Sequence, residues 1–344
     1  MKITTIASFL AIALLAGCGG AGFGPPGFGT AAEPAGSSAW LAPKAHQDVY
    51  WTLFAGSAYP QVQIAKVPLT TNSKVASIVN STKNDLLYSS AMATDSTGRL
   101  WVLSFGRYNG SPTSALVFKL PLTAKSAPSH TYVLLGTNGS DAIAFDPSGN
   151  LWVTSPGNHS FMEYKPSPKK NAKLKPLRTF PSSNFNAYGI AVDKNANVYI
   201  SINNSTGTNS IAVLKPPYKK KDTYFLNGLT YPGGLLFDAK GNLYASTNPS
   251  SGAALVRYGS NDLKKGDTPS IVDSTGLPSG SYLAAFAFTA KGDLYAANCG
   301  NTTSAGIDVY PTGTHKFSSN LAPSVIYTNS DIGQVGCAWG IAIK

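Results

Sequence analysis

One segment of this chain is written five times. It reads AMATDSTGRLWVLS (91–104), AIAFDPSGNLWVTS (142–155), GIAVDKNANVYIS (189–201), GLLFDAKGNLYAS (234–246) and AFAFTAKGDLYAA (285–297). A sixth copy is cut short at GIAIK (340–344). Asp95, Asp146, Asp193, Asp238, Thr289 and Lys344 share one position, spaced about 45–55 residues apart. Repeats of that length, each with several short strand signals, predict an all-β propeller of four-stranded blades.

Residues 142–182 illustrate one blade. AIAF is an apolar run suited to a strand buried on both faces, and Asp146-Pro147-Ser148-Gly149 is a hairpin turn closed by glycine. LWVTS, FMEYKP (161–166) and PLRTF (176–180) supply three further strands. Where the turn departs from D-x-x-G at Ala196, Asn195 or Asn197 is expected to take the left-handed position. DVYWTLF (48–54), QVQIAKVPL (61–69) and KVASIVN (74–80) read as three strands lacking an inner strand, whereas GIAI (340–343) is an inner strand lacking partners. Pairing the two ends predicts six blades and a closed ring with no free terminal edge.

The pattern of residues 189–199, followed by Asn/Gly-rich loops and strands such as FMEYKP, resembles NHL repeats and is similar to the gluconolactonase-like group of six-bladed propellers. The resemblance covers residues 47–344 and implies a fold shared by enzymes, sensors and scaffolds alike.

The N-terminus stands apart. Ile6 to Leu15 is too short to span a bilayer as a helix, and it runs into Leu15-Ala16-Gly17-Cys18. That run resembles the bacterial lipobox, which implies cleavage before Cys18 and lipidation of its sulfur. Residues 1–17 are therefore expected to be a signal peptide, 18–46 a Gly/Pro-rich tether, and 47–344 the propeller. The expected setting is the cell envelope, with the chain lipid-anchored to a membrane and the propeller outside the cytoplasm. Cys299 and Cys337 are the remaining cysteines; both fall at the mouth-side ends of adjacent blades and are expected to form a disulfide.

Lys and Arg total 27 against 16 Asp and Glu, a net charge of +11 with only 12% of residues charged. The excess clusters at 165–178, 215–221 and 264–265, between third and fourth strands, on the face that carries the D-x-x-G turns. The favoured reading is that solvated lysine loops keep a low-charge protein soluble; the alternative is a patch that meets anionic lipid or cell-wall polymer. Nucleic acid is not expected, because base-stacking aromatics are not interleaved with these lysines.

Trp101, Trp152, Tyr199, Tyr244 and Tyr295 recur at one blade position and are expected to pack between blades. The opposite face, over the central channel, gathers an irregular set. Tyr88, Asp141, Asn158, His159, Asn186, Tyr188, Tyr231, Tyr282 and Trp339 are the candidate ligand-binding residues, either lining a pocket or plugging the channel. No catalytic set, metal site or cofactor is expected: Asp141 and His159 are isolated, and the repeat carboxylates belong to the other face. The sequence thus predicts a monomeric binding or interaction propeller whose partner is a small molecule, glycan, peptide or envelope protein. A hydrolase or lyase of the gluconolactonase-like or streptogramin-lyase-like group is the alternative.

Overall fold

The structure, a computed structural model, describes residues 47–54, 61–67, 76–80, 89–105, 112–123, 125–181, 186–203, 209–219, 223–248, 253–277, 280–300, 306–311, 317–328 and 337–344. The signal peptide, the tether and Cys18 lie outside the described residues.

Within them the protein is all-β, its single helical element being one 3-10 turn at Pro156–Asn158. Twenty-five strands form a β-propeller. The first sheet joins β1 (Gln47–Phe54), β2 (Gln61–Val67) and β3 (Ala76–Asn80) to the last strand, β25 (Cys337–Ile343), in the order β25-β1-β2-β3. The second holds β4 (Ser89–Thr94), β5 (Leu100–Phe105), β6 (Thr113–Phe118) and β7 (His130–Leu134), with β11 (Ala172–Leu174) added outside β7. The third is β8 (Ile143–Phe145), β9 (Leu151–Ser155), β10 (Ser160–Tyr164) and β12 (Arg178–Pro181). The rest are meanders: β13 (Asn186–Val192) to β16 (Tyr224–Leu226), β17 (Leu235–Phe237) to β20 (Ile271–Asp273), and β21 (Leu283–Phe288) to β24 (Val325–Thr328).

Five of these sheets have four strands, not the six expected. The exception arises from the lysine-rich connection after β10. Instead of looping through solvent it pairs parallel with β7, Ala172 opposite Tyr132 and Leu174 opposite Leu134. Its alternation explains this: Leu174 is buried in the core shared by the second and third sheets, while Lys173 and Lys175 face solvent. The connection then returns to its own sheet as β12. At the chain ends, β25 lies antiparallel to β1 with Val49 opposite Ile343 and Trp51 opposite Ile341. Val49, Trp51, Ile341 and Ile343 share a core with Tyr295 and Ile307 of the last sheet, and Tyr50 and Ala342 share another with Leu100 and Leu116 of the second.

The repeated turn is a hydrogen-bonded clamp. Asp95 Oδ1 accepts from the Thr97 and Arg99 amides, each at 3.0 Å, and Asp146, Asp193 and Asp238 accept from the equivalent amides two and four residues on. The second oxygen receives the recurring aromatic: Trp101 Nε1 donates to Asp95 Oδ2 at 2.8 Å and Trp152 Nε1 to Asp146 Oδ2 at 3.3 Å. Tyr199 donates likewise to Asp193 at 3.4 Å. These aromatics therefore pack between sheets and also fasten the turn, Trp101 meeting Phe145 of the third sheet edge-on at 5.2 Å. In the fifth copy Thr289 Oγ1 takes over, accepting from the Asp293 amide at 3.0 Å. At the irregular turn the left-handed residue is Ala196 (φ 61), not Asn195 or Asn197. Asp193 fixes the amides on either side of it, and Tyr218 donates to its carbonyl at 2.9 Å, so the clamp outweighs the intrinsic preference of asparagine.

Candidate functional site

The end of the barrel of inner strands opposite the turns is built on hydroxyl bridges. Thr52 of β1 accepts from the Gly340 amide at 2.8 Å and donates to the Ser90 carbonyl at 2.7 Å. Thr154 does the same between Ala142 and Tyr188, and Ser201 between Gly189 and Gly233. Each bridge ties an inner strand to the inner strand of the next sheet, which fixes where the strand ends sit around the axis.

Those ends bulge. The ladder slips between Ser89 and Met92, between Ala187 and Ile190, between Leu283 and Ala285, and opposite Trp51 and Leu53, where β25 carries Trp339 and Gly340. A bulge re-aims the side chain it carries and is common beside binding sites. The fit is close: a Cβ on Gly340 would lie 2.7 Å from the Ser90 carbonyl oxygen and 2.8 Å from Thr52 Oγ1.

Four candidates from four sheets meet here. Trp339 and Tyr282 lie with ring centroids 5.9 Å apart and a 35° tilt. Gly233 leaves room for the Tyr282 hydroxyl, which a Cβ at that position would approach to 3.2 Å. Burial holds the Tyr282 phenol above its usual range, and the nearby Asp141 carboxylate and Tyr188 push it the same way. Asp141 itself is pushed up to about 7 by burial. Its carboxyl is therefore poised between its neutral and charged forms near neutral pH, next to phenolic donors. Asn186 Nδ2 reaches the Tyr188 hydroxyl at 3.5 Å, placing it on the rim of the group.

The other candidates stay outside it. Asn158 and His159 are exposed: Asn158 Nδ2 donates to the Gly136 carbonyl at 2.6 Å, and His159 closes the 3-10 turn in a left-handed conformation (φ 46). Tyr231 is 52% exposed and also left-handed (φ 48). Tyr88 lies outside the described residues, as does the Cys337 side chain. Cys299 sits one residue after β22, its amide donating to the Tyr282 carbonyl at 2.8 Å. No three His, Cys, Asp or Glu side chains among the described residues come close enough together to hold a metal ion.

Sequence reasoning missed one polar group under this surface. Asn298 at the end of β22 is fully buried; its Oδ1 accepts from the Tyr282 amide at 3.0 Å, and its Nδ2 donates to Ser281 Oγ at 3.0 Å and to Asp308 Oδ2 at 2.8 Å. Asp308 is fully buried, with Oδ1 left without a partner, and its carboxyl is pushed up to about 7. The signal was available: an acid at the centre of the apolar strand GIDVY has no place in a core unless a partner is brought to it.

No protein-family model matches this chain, and no curated protein matches it. Solved structures do. A putative 6-phosphogluconolactonase from Bacteroides fragilis is 9% identical over 83% of each chain, with a TM-score of 0.56. A protein from Lactobacillus plantarum is 10% identical over 87% of this chain and 99% of its own, with a TM-score of 0.58. A catalytically inactive virginiamycin B lyase from Staphylococcus aureus, solved with quinupristin, is 12% identical over 81% of this chain and 85% of its own, with a TM-score of 0.50. The neighbours are thus of the lactonase and lyase type. At these identities the likeness carries the architecture only, and the chain is a β-propeller built of repeated sheets.

Proposed function

We propose that the protein binds an uncharged, hydroxyl-rich or peptide-like ligand at the inner-strand mouth. The observation that carries this reading is the convergence of Asp141, Tyr188, Tyr282 and Trp339 from four different sheets. The rings offer flat apolar area, and the phenols, Asn186 and Asp141 offer donors and acceptors without a dense charge. The site sits on a propeller that we read as six NHL-like blades closed by β25 against β1; the shared cores on both sides of that pair support the closure. The setting we propose is the cell envelope, with a lipid on Cys18 and a Cys299–Cys337 disulfide beside the mouth. A screen of saccharides, lactones and short peptides tests the site. Trp339→Ala with Tyr282→Ala is expected to weaken any ligand found by about 10–100-fold while the melting transition stays cooperative. Ligands that bind the double variant unchanged would exclude this mouth.

A hydrolase or lyase is the second reading, favoured by Asp141. A carboxyl held near pH 7 can take a proton from, or return one to, a bound substrate. Under this reading Asp141→Asn abolishes turnover of a lactone, ester or cyclic depsipeptide yet leaves its uptake within a few-fold. Turnover that survives the substitution would contradict it.

A further inference from the structure

Among the described residues the two ends of the propeller differ in charge, and the chain enters at one of them. β1 begins beside the last residue: the Asp48 amide donates to the Lys344 carbonyl at 2.7 Å, and Lys344 Nζ donates to the Gly98 carbonyl at 3.0 Å. Gly98 belongs to a D-x-x-G turn, so residue 47 emerges on the turn face. The connections between third and fourth strands share that face. The Tyr218 hydroxyl reaches the turn at Ala196, and the Ser260 amide donates to Asn242 at 3.0 Å.

Here the lysines are exposed and the acids withdrawn. Lys169 and Lys170 after β10, Lys219 after β15, Lys264 and Lys265 after β19, and Lys194 on its turn all face solvent. Asp146 and Asp238 are buried in their clamps, Asp95 is ion-paired with Arg99 at 2.7 Å, and Asp262, Asp267 and Asp293 are half-buried. Among the described residues, the loops of the mouth face carry neither Lys nor Arg.

We infer that the turn face docks on an anionic phospholipid bilayer, holding the mouth away from it toward its ligand. This rests on the proposed lipid anchor, which supplies the bilayer as the nearest anionic surface. Only residues 19–46 separate Cys18 from β1, so an anchored propeller stays close to the headgroups and meets them with the face its own N-terminal strand leaves from. Each lysine brought within a Debye length of an anionic leaflet strengthens adhesion roughly fivefold.

The test uses the chain from Gly19 onward, which keeps every described sheet and core. It is expected to co-sediment with vesicles of equal parts phosphatidylcholine and phosphatidylglycerol, not with phosphatidylcholine alone, and to be released by salt. Changing Lys169, Lys170, Lys264 and Lys265 to Glu should cut partitioning by at least about 100-fold with an unchanged melting temperature. An environment-sensitive probe on Ser148→Cys should respond to the vesicles, and one on Asn158→Cys should not. Equal binding to both vesicle types, no effect of the four substitutions, a response at Asn158, or binding to a soluble anionic polymer but not to vesicles would each overturn the inference. Fatty-acid labelling at Cys18 is scored separately: its failure removes the anchor, whereas failed sedimentation removes the docking face.

Discussion

The turn face and the mouth face are made by the same strands, yet the side chains that recur on the turn face have no counterpart in those the mouth gathers. On the turn face an aspartate binding the amides two and four residues on recurs with nearly constant geometry, an aromatic follows six residues on, and a threonine substitutes where the aspartate is lost. On the mouth face the corresponding positions hold Ser90, Asp141, Tyr188, Gly233, Ala284 and Trp339, with nothing in common. Repetition marks what every blade needs in order to fold. Departure from repetition marks what only the assembled propeller can use.

The largest expected effect concerns the seam. Deleting residues 340–344 removes Ile341 and Ile343 from a buried core and should lower stability by at least about 5 kcal/mol in urea denaturation. A truncated chain that unfolds like the full one would break the closure. Gly189→Ala and Gly149→Ala then set the faces against each other. A methyl on Gly189 collides with the Gly233 carbonyl and should cost about 3 kcal/mol or more, whereas Gly149, at φ 79 with open space around it, should lose only about 1 kcal/mol.

The proposed Cys299–Cys337 bond should be worth about 4 kcal/mol by loop-closure entropy, lost on reduction. Thiol titration of the unfolded, unreduced chain should find neither cysteine reactive.

The buried acids give a pH signature. Asp308 ionises near 4 in the unfolded chain and at about 7 in the folded one, so between those values the folded state binds the extra proton and stability falls as pH rises. Asp308→Asn should therefore be more stable than the parent by about 4 kcal/mol at pH 8 and close to it near pH 4, as read from denaturation midpoints. A gain that does not vary with pH would point to packing instead. The smallest effects belong to Asn158→Ala and His159→Ala. Both side chains are exposed and outside the mouth group, and each change should alter stability by about 1 kcal/mol or less and ligand affinity by less than about 0.5 kcal/mol.

The sequence made legible whatever was periodic. The inner strands, the turns, the recurring aromatics and the pairing of GIAI with DVYWTLF all follow from alternation and turn chemistry acting over a few residues. The fifth strand did not, because Ala172 and Leu174 look like a loop until Tyr132 and Leu134 are placed beside them. The mouth was half legible. Asp141, Tyr188, Tyr282 and Trp339 could be picked out by position, but the bulges that gather them depend on hydroxyl bridges between sheets. The bond from Asn298 to Asp308 stayed hidden for the same reason, because the two lie on neighbouring strands. Ala196 shows the reverse case, a local preference overruled by the clamp around it.

The central claim is that the irregular aromatics, not the repeated ones, meet the ligand. Fluorotryptophan labelling places it under one measurement, because Trp51, Trp101 and Trp152 are buried in the repeated framework while Trp339 is partly exposed at the mouth. In ¹⁹F spectra recorded across the ligand screen, with all five tryptophan signals assigned by single Trp→Phe substitutions, binding should move the Trp339 signal and leave those of Trp51, Trp101 and Trp152 in place. Ligands that shift Trp101 or Trp152 while Trp339 stays still would contradict the account.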